Sequence, residues 1–207
     1  GVDEILINDI SSNDRPNFQL LKKISEEAFV PLSYGGCIKT LEDIEKILSF
    51  KYEKIIFNSL VIENYPFIKD AIQQFGSSTI SISVNLKYNF FNNLKLYNRK
   101  KNTFYKEIIE THLEKINLLQ PSETLITFVD LEGTRKGYDR KLIEKYFKIL
   151  KTNVIINGGA KNIEDFKFLN KLGASGAVAS SLFSFKSNNE SVLVNYLSKS
   201  EIDIIND

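Results

Sequence analysis

The chain has 207 residues, enough to bury a full core as one domain over 1–207, and its 27 basic and 26 acidic side chains leave a net charge of +1. That balance offers no electrostatic footprint for nucleic acid or an anionic membrane surface. No apolar run reaches the ~18 residues of a membrane span, and no signal-peptide pattern is present. A single cysteine, Cys37, excludes a disulfide framework and sets the expectation of a cytoplasmic protein.

Apolar runs of strand length alternate with segments of helical period, the pattern of βα units on a parallel sheet. Strands are expected at 4–10, 29–34, 54–58, 79–86, 123–130, 153–157 and 176–180. Helices are expected at 16–27, 40–50, 64–75, 104–119, 139–150, 162–172 and 190–199. Thr40 and Asn162 read as helix caps. The stretch 87–103 has neither period; with its Asn pair and basic cluster it reads as a hairpin-like loop covering a substrate. Seven strands and seven helices are one unit short of an eightfold barrel. The chain contains no Met and opens on Gly1-Val2-Asp3-Glu4, a lead-in to a strand, so the first βα unit is expected to be missing.

Two segments repeat one another. Residues 34–59 read YGGCIKTLEDIEKILSFKYEKIIFNS and residues 157–181 read NGGAKNIEDFKFLNKLGASGAVASS. Each opens on a Gly pair (Gly35-Gly36, Gly158-Gly159) after an apolar run and continues through a Glu-Asp pair (Glu42-Asp43, Glu164-Asp165). Each closes on Ser after a second apolar run (Asn58-Ser59, Ser180-Ser181). Gly35 and Gly158 stand 123 positions apart, the closing Ser residues 122. Glycines let backbone N–H groups turn towards a ligand, and the helix that follows adds its positive end. The duplication therefore predicts a barrel of two equivalent halves with two facing anion sites, and a ligand carrying a phosphate at each end.

Strand parity places a second group. Lys54 shares a face with Asn58, and Glu123 shares one with Thr127, so Lys54 and Glu123 point into the barrel at the end opposite the anion sites. Counting a missing first strand, Glu4, Lys54 and Glu123 lie on strands two, four and six, which contribute to one interior layer. A buried charge is costly unless paired. The cluster reads either as a structural ion pair closing the floor or as a polar gate for something small.

The mouth carries the candidates for chemistry. Asn85 shares the inward face of its strand with Ser81 and Ser83, Asp9 and Asp130 end their strands, and Glu132 follows in a polar Asp-x-Glu-Gly-Thr loop. His112 lies mid-helix among Glu110 and Glu114 and reads as a solvated surface residue; Cys37 reads as a small loop filler. No cluster has metal-ligand spacing, and no cofactor is expected.

In this order, GVDEILINDI, PLSYGGCIKTLEDI, KIIFNS, QQFGSS, VDLEGTRKGYD, INGGAKNIEDF and GASGAVASSLF resemble the cyclase subunit of imidazole glycerol phosphate synthase along almost the whole chain. The resemblance implies a (βα)8 barrel paired with a glutaminase, whose ammonia crosses the barrel core to a substrate with two phosphates. It assigns phosphate contacts to Gly36, Asn58, Ser59, Gly158, Gly159, Ser180 and Ser181. It makes Glu4, Lys54 and Glu123 members of an ammonia gate and places Thr127 and Asp9 near the middle of the substrate. Of the family's two catalytic Asp residues, one belongs to the strand expected to be missing and the other matches Asn85. Cys37, Asn157 and Glu132 also depart from the family pattern. The tail SLFSFKSNNESVLVNYLSKSEI resembles paralogues from surface-polysaccharide clusters, which are thought to pass ammonia into an N-acetyl sugar to form an acetamidino group.

Overall fold

A computed structural model describes residues 2–11, 14–179 and 197–206 of the chain. Its nine strands are β1 (Ile5–Asn8), β2 (Leu32–Gly35), β3 (Lys54–Phe57), β4 (Ile80–Tyr88), β5 (Leu94–Asn98), β6 (Thr103–Phe104), β7 (Glu123–Phe128), β8 (Asn153–Asn157) and β9 (Gly176–Val178). Seven of them pair in parallel in the order β1-β2-β3-β4-β7-β8-β9, while β5 and β6 branch antiparallel from β4. Helices α1 (Phe18–Glu27), α2 (Leu41–Ser49), α3 (Leu60–Glu63), α4 (Tyr65–Phe75), α5 (Ile109–Leu119), α6 (Arg140–Phe147) and α7 (Ile163–Leu172) connect successive parallel strands, and α8 (Lys199–Asn206) follows. This curled parallel sheet with alternating helices is the (βα)8-barrel architecture.

The polarity of the strands explains the two layers. Along β4, Ile80, Ile82, Val84 and Leu86 are at most 1% exposed and join one apolar cluster with helix residues such as Ile68, Leu113 and Ile116. The opposite face carries Ser81, Ser83 and Asn85 into the barrel. The helices bury one stripe each: in α2, Ile44 and Ile47 are fully buried. Thr40 caps α2 through a capping box with Asp43.

Several boundaries differ from the sequence expectation. The second strand starts at Leu32 rather than residue 29, and Phe29 is almost fully exposed; Pro31 ahead of it has no N–H to give a ladder. Thr103 and Phe104 form β6, and the helix expected from 104 begins at Ile109. A single-turn helix, α3, precedes α4, which Asn64 caps by accepting from Phe67 N. Asn162 makes no side-chain cap; Asp165 instead accepts the N–H of Lys161 at 2.9 Å. The helix expected at 190–199 falls largely outside the described residues. The stretch 87–103 is an ordered β-meander: Leu86, Lys87 and Tyr88 pair with Leu96, Lys95 and Leu94. Asn89 Oδ1 holds its tip by accepting from Phe91 N and Asn93 N.

Candidate active site at the barrel mouth

At the N-terminal ends of the strands, Lys54 Nζ lies 2.9 Å from Glu4 Oε2 and 2.9 Å from both carboxylate oxygens of Glu123. Glu4 also accepts from Ser33 Oγ, and Ser81 Oγ reaches Glu123 at 3.5 Å. The three side chains retain only 20%, 31% and 19% exposure for Lys54, Glu4 and Glu123. Burial alone favours a neutral lysine, but the two carboxylates overcome it and hold the Lys54 pKa above its usual value. The cluster inferred from parity is therefore a charged clamp across the floor, joining β3 to β7 and to the residue before β1.

At the opposite end the two halves match, with a one-residue correction to the pairing expected from the Gly doublets. Asp9 N donates to Gly35 O at 2.8 Å, which sets Gly36 beside Asp9. Gly36 has φ +116°, and a Cβ on it would stand 2.4 Å from the Asp9 carbonyl oxygen. Gly158 has φ +95°, and its Cβ would stand 2.5 Å from the Phe128 carbonyl oxygen. Each therefore follows its strand in left-handed backbone pressed against the end of the preceding strand, where only Gly fits. Gly36 and Gly158 are 122 positions apart, the spacing of the closing Ser residues. Gly159 then corresponds to Cys37, which is itself left-handed at φ +57°, and Gly35 to Asn157. Gly35 is a strand residue backed onto Ile56.

The same interval relates the residues behind these turns. Asp43 Oδ2 accepts from Lys39 N at 3.0 Å, as Asp165 Oδ2 accepts from Lys161 N at 2.9 Å. Each Asp also meets an arginine, though these two stand outside the 122-residue interval: Arg15 pairs with Asp43 at 2.5 Å and Arg140 with Asp165 at 3.8 Å. Burial would raise the Asp43 pKa, but the Lys39 N–H, Arg15 and the Thr40 N–H together hold it below the usual carboxylate range. In the first half, Asn58 Nδ2 donates to Ser83 Oγ at 3.3 Å, and Ser59 precedes α3 with no side-chain cap bond. Ser180 and Ser181, the corresponding pair, lie outside the described residues.

Between the two turns the mouth is polar. Asp9 accepts from Ser11 N at 2.9 Å and from Tyr34 Oη at 3.0 Å. Burial works against its charge, yet these bonds win and lower its pKa; burial likewise pushes the Tyr34 phenol up. Asn85 stands opposite Thr127 in the β4–β7 register. Asn157 Nδ2 reaches Thr127 Oγ1 at 3.3 Å and Glu132 Oε1 at 2.9 Å, and Glu132 pairs with Arg99 from the end of β5. Asp130 is turned towards the hairpin, accepting from Tyr88 N at 2.8 Å. Arg99 was not singled out from the sequence. The signal was the basic run 99–101, whose reach across the mouth depends on the antiparallel turn.

His112 is a correction: it is 2% exposed rather than solvated. It sits with Ile109, Leu113 and Ile116 at the i, i+3, i+4, i+7 spacing of the buried stripe of α5. Its Nδ1 lies 3.4 Å from Glu107, which also pairs with Lys115 at 2.5 Å. Burial lowers its pKa, and Glu107 only partly offsets that. Among the described residues no group of three or more His, Cys, Asp or Glu is placed to hold a metal ion, and no helix is long and apolar enough to cross a membrane.

Residues 1–189 match a family described as histidine biosynthesis protein. Among curated proteins, a Campylobacter jejuni protein provisionally named imidazole glycerol phosphate synthase subunit hisF2 is 38% identical over 187 residues, 89% of this chain and 74% of its own length. The imidazole glycerol phosphate synthase subunit HisF of Helicobacter hepaticus is 33% identical, with 95% of this chain and 79% of that protein covered. The corresponding subunit of Alkaliphilus metalliredigens is 32% identical, with 89% and 75% covered.

Proposed function

The chain belongs to the histidine biosynthesis protein family as a relative of the HisF synthase subunits, and on that premise we propose that it is the ammonia-accepting barrel of a glutamine amidotransferase. Its cytoplasmic role in this reading is that of a paralogue delivering ammonia for acetamidino-sugar synthesis in surface-polysaccharide formation. A glutaminase subunit docks on the floor, where Glu4, Lys54 and Glu123 form the gate. Ammonia passes the clamp when Lys54 swings from one carboxylate, then follows the inward polar face of β4, Ser81, Ser83 and Asn85, to the mouth. The acceptor's anionic groups rest on the turns at Gly36 and Gly158-Gly159, with Asn58, Ser59, Ser180 and Ser181 completing the two phosphate sites. Asp9, Thr127 and Asp130 surround the reacting centre. The whole of 1–207 serves as one domain.

The observation that carries this reading over histidine-type cyclisation is Asn85. An amide at that position cannot take a proton at neutral pH, so acid–base help worth ~10²–10⁴-fold is withdrawn there. The floor clamp and the duplicated turns remain, which fits a barrel that conducts and receives ammonia with different chemistry at its mouth. The test is turnover of the two-phosphate histidine intermediate with free ammonia by the chain joined to the family's first βα unit. Little turnover is expected, rising on Asn85→Asp; robust turnover by the unaltered chain refutes the reading. The names of its relatives favour a second reading, a cyclase subunit of histidine biosynthesis, and such turnover would establish it. A third, a catalytically silent barrel that activates a glutaminase, predicts stimulated glutamine hydrolysis with no acceptor modified. Failure of any glutaminase to bind in titration would end all three ammonia-linked readings.

A further inference from the structure

Asn157 and Glu132 join one polar chain, and Asn85 lies beside it. Asn85 stands in register with Thr127. Thr127 accepts from Asn157, Asn157 donates to Glu132, and Glu132 holds Arg99. The chain runs from the inner wall of the barrel to the antiparallel hairpin. Its outer end is a cation, Arg99.

The hairpin makes this chain possible. β5 returns along β4 to Asn98, and the tight turn after it sends a basic run towards three strand ends at once. Arg99 reaches Glu132 after β7, Lys100 lies close enough to Asp9 and Asp14 to favour their charged forms, and Lys101 pairs with Glu63 after β3 at 2.6 Å. Lys101 N also donates to Asn98 Oδ1 at 2.9 Å, which fixes the turn. Arg99 is 31% exposed and Glu132 33%. Yet the Arg99 Nε is buried and has no hydrogen-bond partner among the described residues. A guanidinium presents a planar fork of donors suited to an oxyanion, and here one arm is taken by Glu132 while Nε–H faces neither acceptor nor water. A buried donor left open calls for an explanation, and a structural ion pair alone supplies none.

We propose that Arg99 is a specificity-determining residue that binds an oxyanion of the acceptor between the two cradles, sharing its guanidinium with its partner Glu132. The inference rests on the mouth being the ligand site. It adds that the acceptor bears a carboxylate or phosphate near its reacting part as well as the groups held by the glycine turns. When that oxyanion arrives, the guanidinium turns to bring its buried Nε–H out to it and is shared between that anion and Glu132, whose carboxylate is then loosened beside Asn157 and Thr127.

The test is a titration of the full ¹⁵N-labelled chain, following the Arg99 Nε–H resonance, assigned by its loss in Arg99→Lys. The Gly36, Gly158 and Gly159 amides are followed in the same spectra. Inorganic phosphate is one probe and acetate the other. A saturable shift of the Arg99 resonance with either probe is expected, and the better probe identifies the class of oxyanion. Glu132→Gln, which removes the competing carboxylate, is expected to tighten that response about threefold, the scale of a partly exposed ion pair. Movement of the glycine amides with an unmoved Arg99 resonance overturns the proposal and leaves the cradle reading standing. Movement of Arg99 with silent glycines supports it and sinks the cradles, and silence at both overturns both. Should Glu132→Gln fail to fold, the titration of the unaltered chain still decides.

Discussion

Replacing Lys54 by Met tests whether the floor clamp is a set of coupled charges or a loose surface contact. Lys54 Nζ sits 2.9 Å from two carboxylates that are themselves 19% and 31% exposed. Removing one partner of a fully buried ion pair costs ~3–5 kcal/mol, because the other charge is left stranded, whereas exposed pairs are worth ~0–1 kcal/mol. Water still reaches these carboxylates, and Ser33 and Ser81 hydrogen-bond them, so the expected loss lies between, at ~2 kcal/mol. For a chain of this length that is a fall in Tm of roughly 4–8 °C, measured by urea and thermal unfolding at pH 7. The physical claim is that the cost comes from two orphaned, mutually repelling carboxylates. Adding Glu4→Gln and Glu123→Gln to Lys54→Met should therefore recover at least about half of it, although the triple variant has lost every ion pair in the cluster. A Lys54→Met loss below ~0.5 kcal/mol, or a triple variant less stable than the single one, would refute the reasoning.

Gly36→Ala and Gly158→Ala should each destabilise by at least ~3 kcal/mol, since left-handed backbone and a Cβ within 2.4–2.5 Å of a carbonyl oxygen act together. Gly133→Ala, with φ +72° but nothing within 4 Å, should cost only ~1 kcal/mol; equal losses at all three sites in urea unfolding would remove the argument for close strand approach. The buried His112 has a folded pKa below its unfolded value, so the unfolded chain binds its proton more readily. Its contribution is neutral above the unfolded pKa and becomes destabilising as pH falls below it, with a slope of at most ~1.4 kcal/mol per pH unit for one proton. His112→Leu should therefore flatten stability between pH 7 and pH 5; an unchanged slope in urea midpoints shows that His112 is not the responsible group. Asn85→Asp, in the chain joined to the family's first βα unit, is expected to raise turnover of the two-phosphate intermediate with free ammonia, within the ~10²–10⁴-fold range of acid–base assistance; no change in initial rate would show that other departures also block it.

Much of this protein was determined by its sequence alone, wherever one local rule decided the matter. Alternation along β4 set apolar side chains outward and Ser81, Ser83 and Asn85 inward, because a strand has only two faces. The same parity brought Glu4, Lys54 and Glu123 together, since an interior layer admits a charge only with its partners. The repeat showed two glycine turns but mispaired them by one, because Gly-Gly doublets look alike in a string. Strand register alone distinguishes Gly35, which lies in β2, from Gly36, which needs left-handed backbone beside Asp9. Tertiary structure decided what depends on distant partners. His112 was hidden because its flanking charges masked a buried stripe whose neighbours come from other elements. Arg99 meets Glu132, 33 positions away, only because an antiparallel hairpin folds back over the mouth. Short-range periodicity constrains which face a residue takes; it carries no information on which loop another strand delivers opposite it.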